Sequence, residues 1–108
     1  MHVKSTQWSV AEKKIVENAF SQAHQRESEA LLQLVQRAAE AIATLEDAWQ
    51  LNDFLSSKRH EIDGKYDDQP AMLLFTLAAL VREGWLSLQE LNGLDSEKLR
   101  RISALTRM

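Results

Sequence analysis

Cysteine is absent from the 108 residues, which removes disulfides, thiolate nucleophiles and cysteine zinc sites and suits a reducing compartment. Proline occurs once and glycine three times, none of them before Gly64, so nothing in the first half punctuates a helix. No window approaches the ~20 apolar residues of a membrane span. The longest apolar run, Ala71 to Val81, is interrupted by Thr76. The start of the chain, Met1 to Ser9, lacks the apolar centre of a secretory signal, and the expectation is a cytoplasmic protein. Charge of one sign is also missing: 13 basic and 16 acidic residues are interspersed and leave a net charge of −3. That balance gives no global pull toward nucleic acid or an anionic membrane surface.

What is present is helix-forming. The hydrophobic fraction of 44% is that of a folded chain, and Ala, Leu, Glu, Gln, Lys and Arg dominate over strand patterning, so the fold class is all-α. The length corresponds to a single domain, residues 1–108, with little core to spare. Residues 1–9 read as frayed. Ser9-Val-Ala-Glu12 is a capping box that starts a first helix near position 10. A bend is expected around Gln25–Ser28, where Glu27 interrupts an apolar stripe; the alternative is one uninterrupted rod. A second helix is expected over roughly 28–62. The stripe Val16, Phe20, Ala23, Glu27, Leu31, Leu34, Ala38, Ile42, Leu45, Trp49 advances about 3.7 residues per step, close to an ideal straight helix.

Such a second helix would be ~50 Å long, longer than a compact domain of this size is wide. A second copy running antiparallel is the simplest cover, so Leu31, Leu34, Val35, Ala38, Ile42, Leu45 and Trp49 are the candidate dimer seam. Residues 10–62 then form a stalk of two long helices, and residues 63–108 a head of short ones. Asp63 to Pro70 is the clear loop, with Gly64 ending the second helix. A third helix over 70–82 is apolar most of the way round and ends at Gly84. Ser87-Leu-Gln-Glu90 is a second capping box opening a short helix. Asp95 or Ser96 caps a last helix to about Thr106, with Leu99, Ile102 and Leu105 inward.

The informative stretch is Glu46 to Asp68. There the apolar stripe turns polar without losing its period: Trp49, Asn52, Asp53, Ser56, Arg59 and His60 lie at steps of three and four, on one side of a helix. A Trp, an amide, a carboxylate and an Arg side by side have the composition of an interface hot spot. Lys58, Arg59, His60 and Lys65 would add a positive patch suited to an acidic partner, and some of these polar residues could instead fix dimer register.

Other chemistry is thin. His24 and Glu27 have ligand spacing but read as surface, and Asp63, Asp67 and Asp68 do not alternate as calcium ligands do. No phosphate loop or nucleophile frame is visible. Neither metal nor cofactor is expected, nor an enzyme acting by covalent chemistry. A helix-turn-helix reading over Leu80–Leu105, with Lys98, Arg100, Arg101 and Arg107 on phosphates, and a purely structural adaptor dimer are the rival readings.

The run Trp49-Gln-Leu-Asn-Asp53-Phe-Leu-Ser-Ser-Lys-Arg59-His-Glu-Ile-Asp-Gly64-Lys-Tyr-Asp67 resembles the signature of the fluorescence recovery proteins of cyanobacteria. The likeness extends loosely to Ile102-Ser-Ala-Leu-Thr-Arg107. It implies a helical homodimer that binds the C-terminal domain of the photoactivated, red orange carotenoid protein. It further implies that binding speeds return to the orange form and ends quenching at the phycobilisome, on the cytoplasmic side of the thylakoid. Trp49, Asp53 and Arg59 fall on functional positions of that family, and Asn52 where it can carry histidine.

Overall fold

The computed structural model describes residues 7–108, all-helical with no extended strand among them. Capping chemistry sets its boundaries. The Ser9 hydroxyl accepts from Glu12 N and the Glu12 carboxylate accepts from Ser9 N, both at 3.0 Å, and α1 runs from there as Val10–Glu40. At 31 residues it is ~46 Å long. The bend expected at Gln25–Ser28 does not occur. Glu27 is not a flaw in the stripe but a buried acceptor with two partners, Lys65 and Tyr66, at the end of the next helix, so α1 passes straight through it.

The chain reverses instead at residues 41–44, inside the segment expected to be continuous helix. Thr44 Oγ1 accepts from Asp47 N at 3.1 Å, and Asp47 Oδ2 accepts from Thr44 N at 3.2 Å and Ala43 N at 3.0 Å. These backbone donors favour the Asp47 carboxylate and lower its pKa. This capping box starts α2, Leu45–Lys65, which folds back along the second half of α1. Gly64 does not end α2. It lies within the last helical turn, where an added Cβ would meet nothing within 4 Å, and the helix ends at Tyr66.

After a turn at 70–72, later than expected, α3 (Leu73–Arg82) forms the middle of the head. Gly84 follows with φ +87, a left-handed conformation open to glycine. The Ser87–Glu90 capping box opens a short 3₁₀ helix, Leu88–Leu91. Gly93 has φ +106, a backbone angle that favours glycine, and a Cβ there would stand 2.6 Å from Ile15 Cδ1 and push that methyl aside. Asp95 then caps α4, Ser96–Thr106.

One apolar core joins Val16, Ala19 and Ala23 of α1 to Leu77 and Leu80 of α3, Leu91 of the 3₁₀ helix and Ile102 of α4. The first half of α1, read from sequence as stalk, is therefore a wall of the head. The other half of α1 and most of α2 project beyond it, giving a molecule 58 × 25 × 25 Å with a radius of gyration of 17.0 Å, against ~13 Å for a compact chain of this length.

The amino-terminal side of the core is pinned by a buried ion pair. Lys98 Nζ donates to Glu12 Oε1 at 2.8 Å and to the Gln7 carbonyl, and lies 4.3 Å from the centre of the Trp8 ring. Gln7 and Trp8, read as part of a frayed end, are thus anchored, with Trp8 buried; residues 1–6 lie outside the described residues. Burial alone would raise the Glu12 pKa. The Lys98 ammonium and the backbone N–H groups of Asp95 and Ser9 outweigh it and hold the pKa at about 2. Glu90, gripped by Arg26, is also lowered to about 2.

A carboxyl whose folded pKa is depressed contributes stability above its unfolded pKa and loses it as pH falls through the folded value. Urea midpoints are therefore expected to hold near neutrality and to drop as pH falls from about 4.5 toward about 2. Glu12→Gln should flatten that acid limb; an unchanged limb would remove Glu12 as its source.

Candidate functional face

The period of α2 sorts its side chains. Leu51, Leu55, Lys58, Ile62 and Lys65 turn toward α1 or the head and are half-buried, and no residue of α2 is fully buried. Trp49, Asn52, Asp53, Ser56, Arg59 and His60 stand together on the opposite side, all exposed. Trp49 is 56% exposed, a large apolar surface to leave in water without a partner. Among the described residues the side chains of Trp49, Asn52, Asp53 and His60 make no intramolecular hydrogen bond. Arg59 Nε sits 3.9 Å from Asp63 Oδ2, with both side chains mostly in solvent. A surface pair of that kind holds neither partner firmly. The face is unengaged, and its charges are mixed in sign.

Two of the basic residues assigned to this patch are placed elsewhere. Lys65 is internal: its side chain is 8% exposed, and Nζ lies 2.6 Å from both Glu27 Oε2 and Glu83 Oε1. Burial would lower its pKa, but these two carboxylates raise it. Lys58 lies at the edge, 3.3 Å from Glu61, and lines a small cleft with Leu31, Leu34, Ile62 and Trp85. Of the four, Arg59 and His60 remain on the exposed face.

The candidate seam divides as well. Leu31, Val35 and Ala38 are partly covered by the molecule's own α2. Leu34, Ile42, Leu45 and Trp49 stay exposed and continue to Phe54 around the hairpin's far end. A groove there is lined by Leu34, Ala38, Ile42, Leu51 and Phe54.

Three features were not legible in the sequence. Tyr66 donates its hydroxyl to Glu27 Oε1 at 2.9 Å and meets Phe20 and His24 edge-on, at 5.6 and 5.4 Å between ring centres. Burial, then its bond to Glu27, pushes the Tyr66 pKa upward. Arg26 forks onto both oxygens of Glu90 at 2.8 and 2.7 Å and reaches the Trp85 carbonyl at 2.9 Å, tying α1 to the 3₁₀ helix. Met72 and Phe75, in the helix expected to be apolar most of the way round, form a second exposed apolar spot on the head. The available signal was Glu27 itself, since a charge on an apolar stripe demands partners.

Among the described residues no group of three or more His, Asp or Glu side chains is placed to hold a metal ion, and no helix is long and apolar enough to cross a membrane.

An all-helical module, a hairpin stalk on a small head with an exposed aromatic and polar face, is the class defined by this geometry. Residues 8–106 match the family model of the photoprotection regulator fluorescence recovery protein. The chain is 46% identical over 101 residues to the fluorescence recovery protein of Synechocystis sp. PCC 6803, covering 94% of this chain and 93% of that one. The solved fluorescence recovery proteins of Fremyella diplosiphon and Synechocystis sp. PCC 6803 superpose with TM-scores of 0.90 each, at 50% and 45% identity. Both alignments span 94% of this chain and all of the other. The chain belongs to the fluorescence recovery protein family, and its function lies in photoprotection.

Proposed function

We propose that this chain accelerates the return of photoactivated, red orange carotenoid protein to its orange resting form, ending phycobilisome quenching. It does so as a homodimer that binds the C-terminal domain of that partner, at the cytoplasmic face of the thylakoid. The observation that carries the proposal is the unengaged α2 face, where Trp49, Asp53 and Arg59 stand together in solvent. No covalent step or cofactor is invoked. A protein speeds a partner's conformational reaction by binding its compact transition state more tightly than the separated red state, and it must release the orange product. A mixed-sign face suits this: Arg59 and Asp53 can each pair across an interface, with Trp49 as apolar anchor. Met72 and Phe75 on the head offer a second contact.

Leu34, Ile42 and Leu45, exposed along the hairpin, favour self-association there. Leu45, 69% exposed in the single chain, is the sharpest probe. Leu45→Glu is expected to shift sedimentation from dimer to monomer with helix content retained; a dimer that persists would move the seam elsewhere.

The DNA-binding reading is weakened by α4. Lys98 is buried against Glu12, while Arg100 and Arg101 both lean on Glu97 at 2.8 and 3.7 Å. The direct test of the proposal is co-migration on size-exclusion chromatography with carotenoid protein held red under blue-green light and held orange in the dark. Retention of the red form with weaker retention of the orange form is expected. Retention of neither would refute the proposal.

A further inference from the structure

α2 carries the candidate face, yet along its length it is held only by half-buried side chains. Firm connections exist at its ends. At the far end the Thr44–Asp47 capping box fixes the turn out of α1. At the near end one ammonium joins three segments of chain: Lys65 Nζ of α2, Glu27 of α1 and Glu83 just beyond α3, at 2.6 Å on both sides. Each acceptor is secured in turn, Glu27 by the Tyr66 hydroxyl at 2.9 Å and Glu83 by Trp85 Nε1 at 3.1 Å. A helix resting on half-buried contacts is free to roll about its axis unless its ends are fixed. At a side-chain radius of ~6 Å, a roll of ~20° displaces a tip by about 2 Å, enough to spoil a positioned contact.

We infer that Lys65 is a positioning residue. Its bridge between Glu27 and Glu83 sets the rotation of α2 relative to the head, and through it the direction in which Trp49, Asp53 and Arg59 point. The second half of this inference rests on the proposed function. The first does not. Lys65 touches no partner; it acts by fixing the face that does. An arginine could serve in its place, because a guanidinium can fork between two carboxylates, whereas methionine fills the space without the bridge.

The test exploits the absence of cysteine. Spin labels at Ser57→Cys on α2 and Ala104→Cys on α4, both exposed positions, report the stalk-to-head distance by pulsed electron resonance, with excess unlabelled chain diluting intermolecular pairs. A narrow distribution is expected for the parent and for Lys65→Arg, and a clearly broader one for Lys65→Met. At saturating concentration Lys65→Met should also lower the maximal red-to-orange rate roughly fivefold with unchanged far-ultraviolet circular dichroism, while Lys65→Arg restores it. Should Lys65→Met fail to fold, Glu83→Gln removes only the outer, half-exposed arm and is expected to broaden the distribution in the same way. A narrow distribution in the folded bridge-breaking variant overturns the clamp. A broadened distribution with an unaltered maximal rate overturns the positioning role. A parent chain without effect on the carotenoid protein would defeat the proposed function, and the distances would still decide the clamp.

Discussion

Replacing Lys98 by methionine is expected to destabilise the fold by about 3–5 kcal/mol, the cost of stranding one member of a buried ion pair. The side chains of Lys98 and Glu12 are only 5% and 10% exposed, and their oxygen and nitrogen lie 2.8 Å apart. Without the ammonium, Glu12 would retain the backbone N–H groups of Ser9 and Asp95, at 3.0 and 2.9 Å, but no opposite charge. The Gln7 carbonyl and the Trp8 ring would lose their shared partner at the same time. Small domains are stable by only ~5–15 kcal/mol, so the variant should unfold at a far lower urea concentration. Midpoints must be compared at one chain concentration, because self-association of the kind proposed makes stability depend on it. A loss below about 1 kcal/mol would mean that the site relaxes or admits water. The double variant Lys98→Met with Glu12→Gln should recover part of the loss, since the uncompensated charge is gone.

The second large effect is expected at Arg59. Arg59→Glu should slow partner recovery by an order of magnitude or more while leaving helix content and thermal stability as they were. The structural reason is its isolation: the side chain is 86% exposed, and its contact with Asp63 at 3.9 Å is long, so the fold asks little of it. Reversing a charge that meets an opposite charge across an interface introduces repulsion where pairing was required. Arg59→Lys separates charge from shape. It preserves the positive charge but not the planar fork, so an intermediate rate would assign part of the role to bidentate pairing. Normal recovery in Arg59→Glu would remove this residue from the mechanism.

The ordered face from Trp49 to His60 was legible because it depends only on helical period. Period survives any error in where the helix begins. The capping boxes at Ser9 and Ser87 were legible because each is local and spelled in the usual Ser-x-x-Glu form. The box at Thr44 is masked in the sequence: Asp47 stands where Glu is usual, and the apolar stripe runs through Ile42 and Leu45 as if unbroken. A hairpin and a rod present the same pattern, since both arms of a hairpin need an apolar side. Gly64 misled in the opposite direction. One open glycine costs a helix only about 0.5–1 kcal/mol relative to alanine, and the Lys65 bridge, one residue further on, holds the last turn closed.

What sequence could not supply was the pairing of distant charges. Glu27 with Lys65, Lys65 with Glu83, and Glu12 with Lys98 each join residues far apart in the chain. Read locally, Glu27 looked like a break and Lys65 like part of a docking patch. Once paired, the first lets α1 run on and the second leaves the surface. Trp8 follows the same logic, because nothing in its immediate neighbours announces the lysine that covers it.

The proposed action is tested most directly by the dark rate of red-to-orange conversion of purified orange carotenoid protein, with and without a substoichiometric amount of this chain. A clear acceleration with each dimer serving many partners is expected. An unaltered rate, with the chain folded and dimeric, would contradict it.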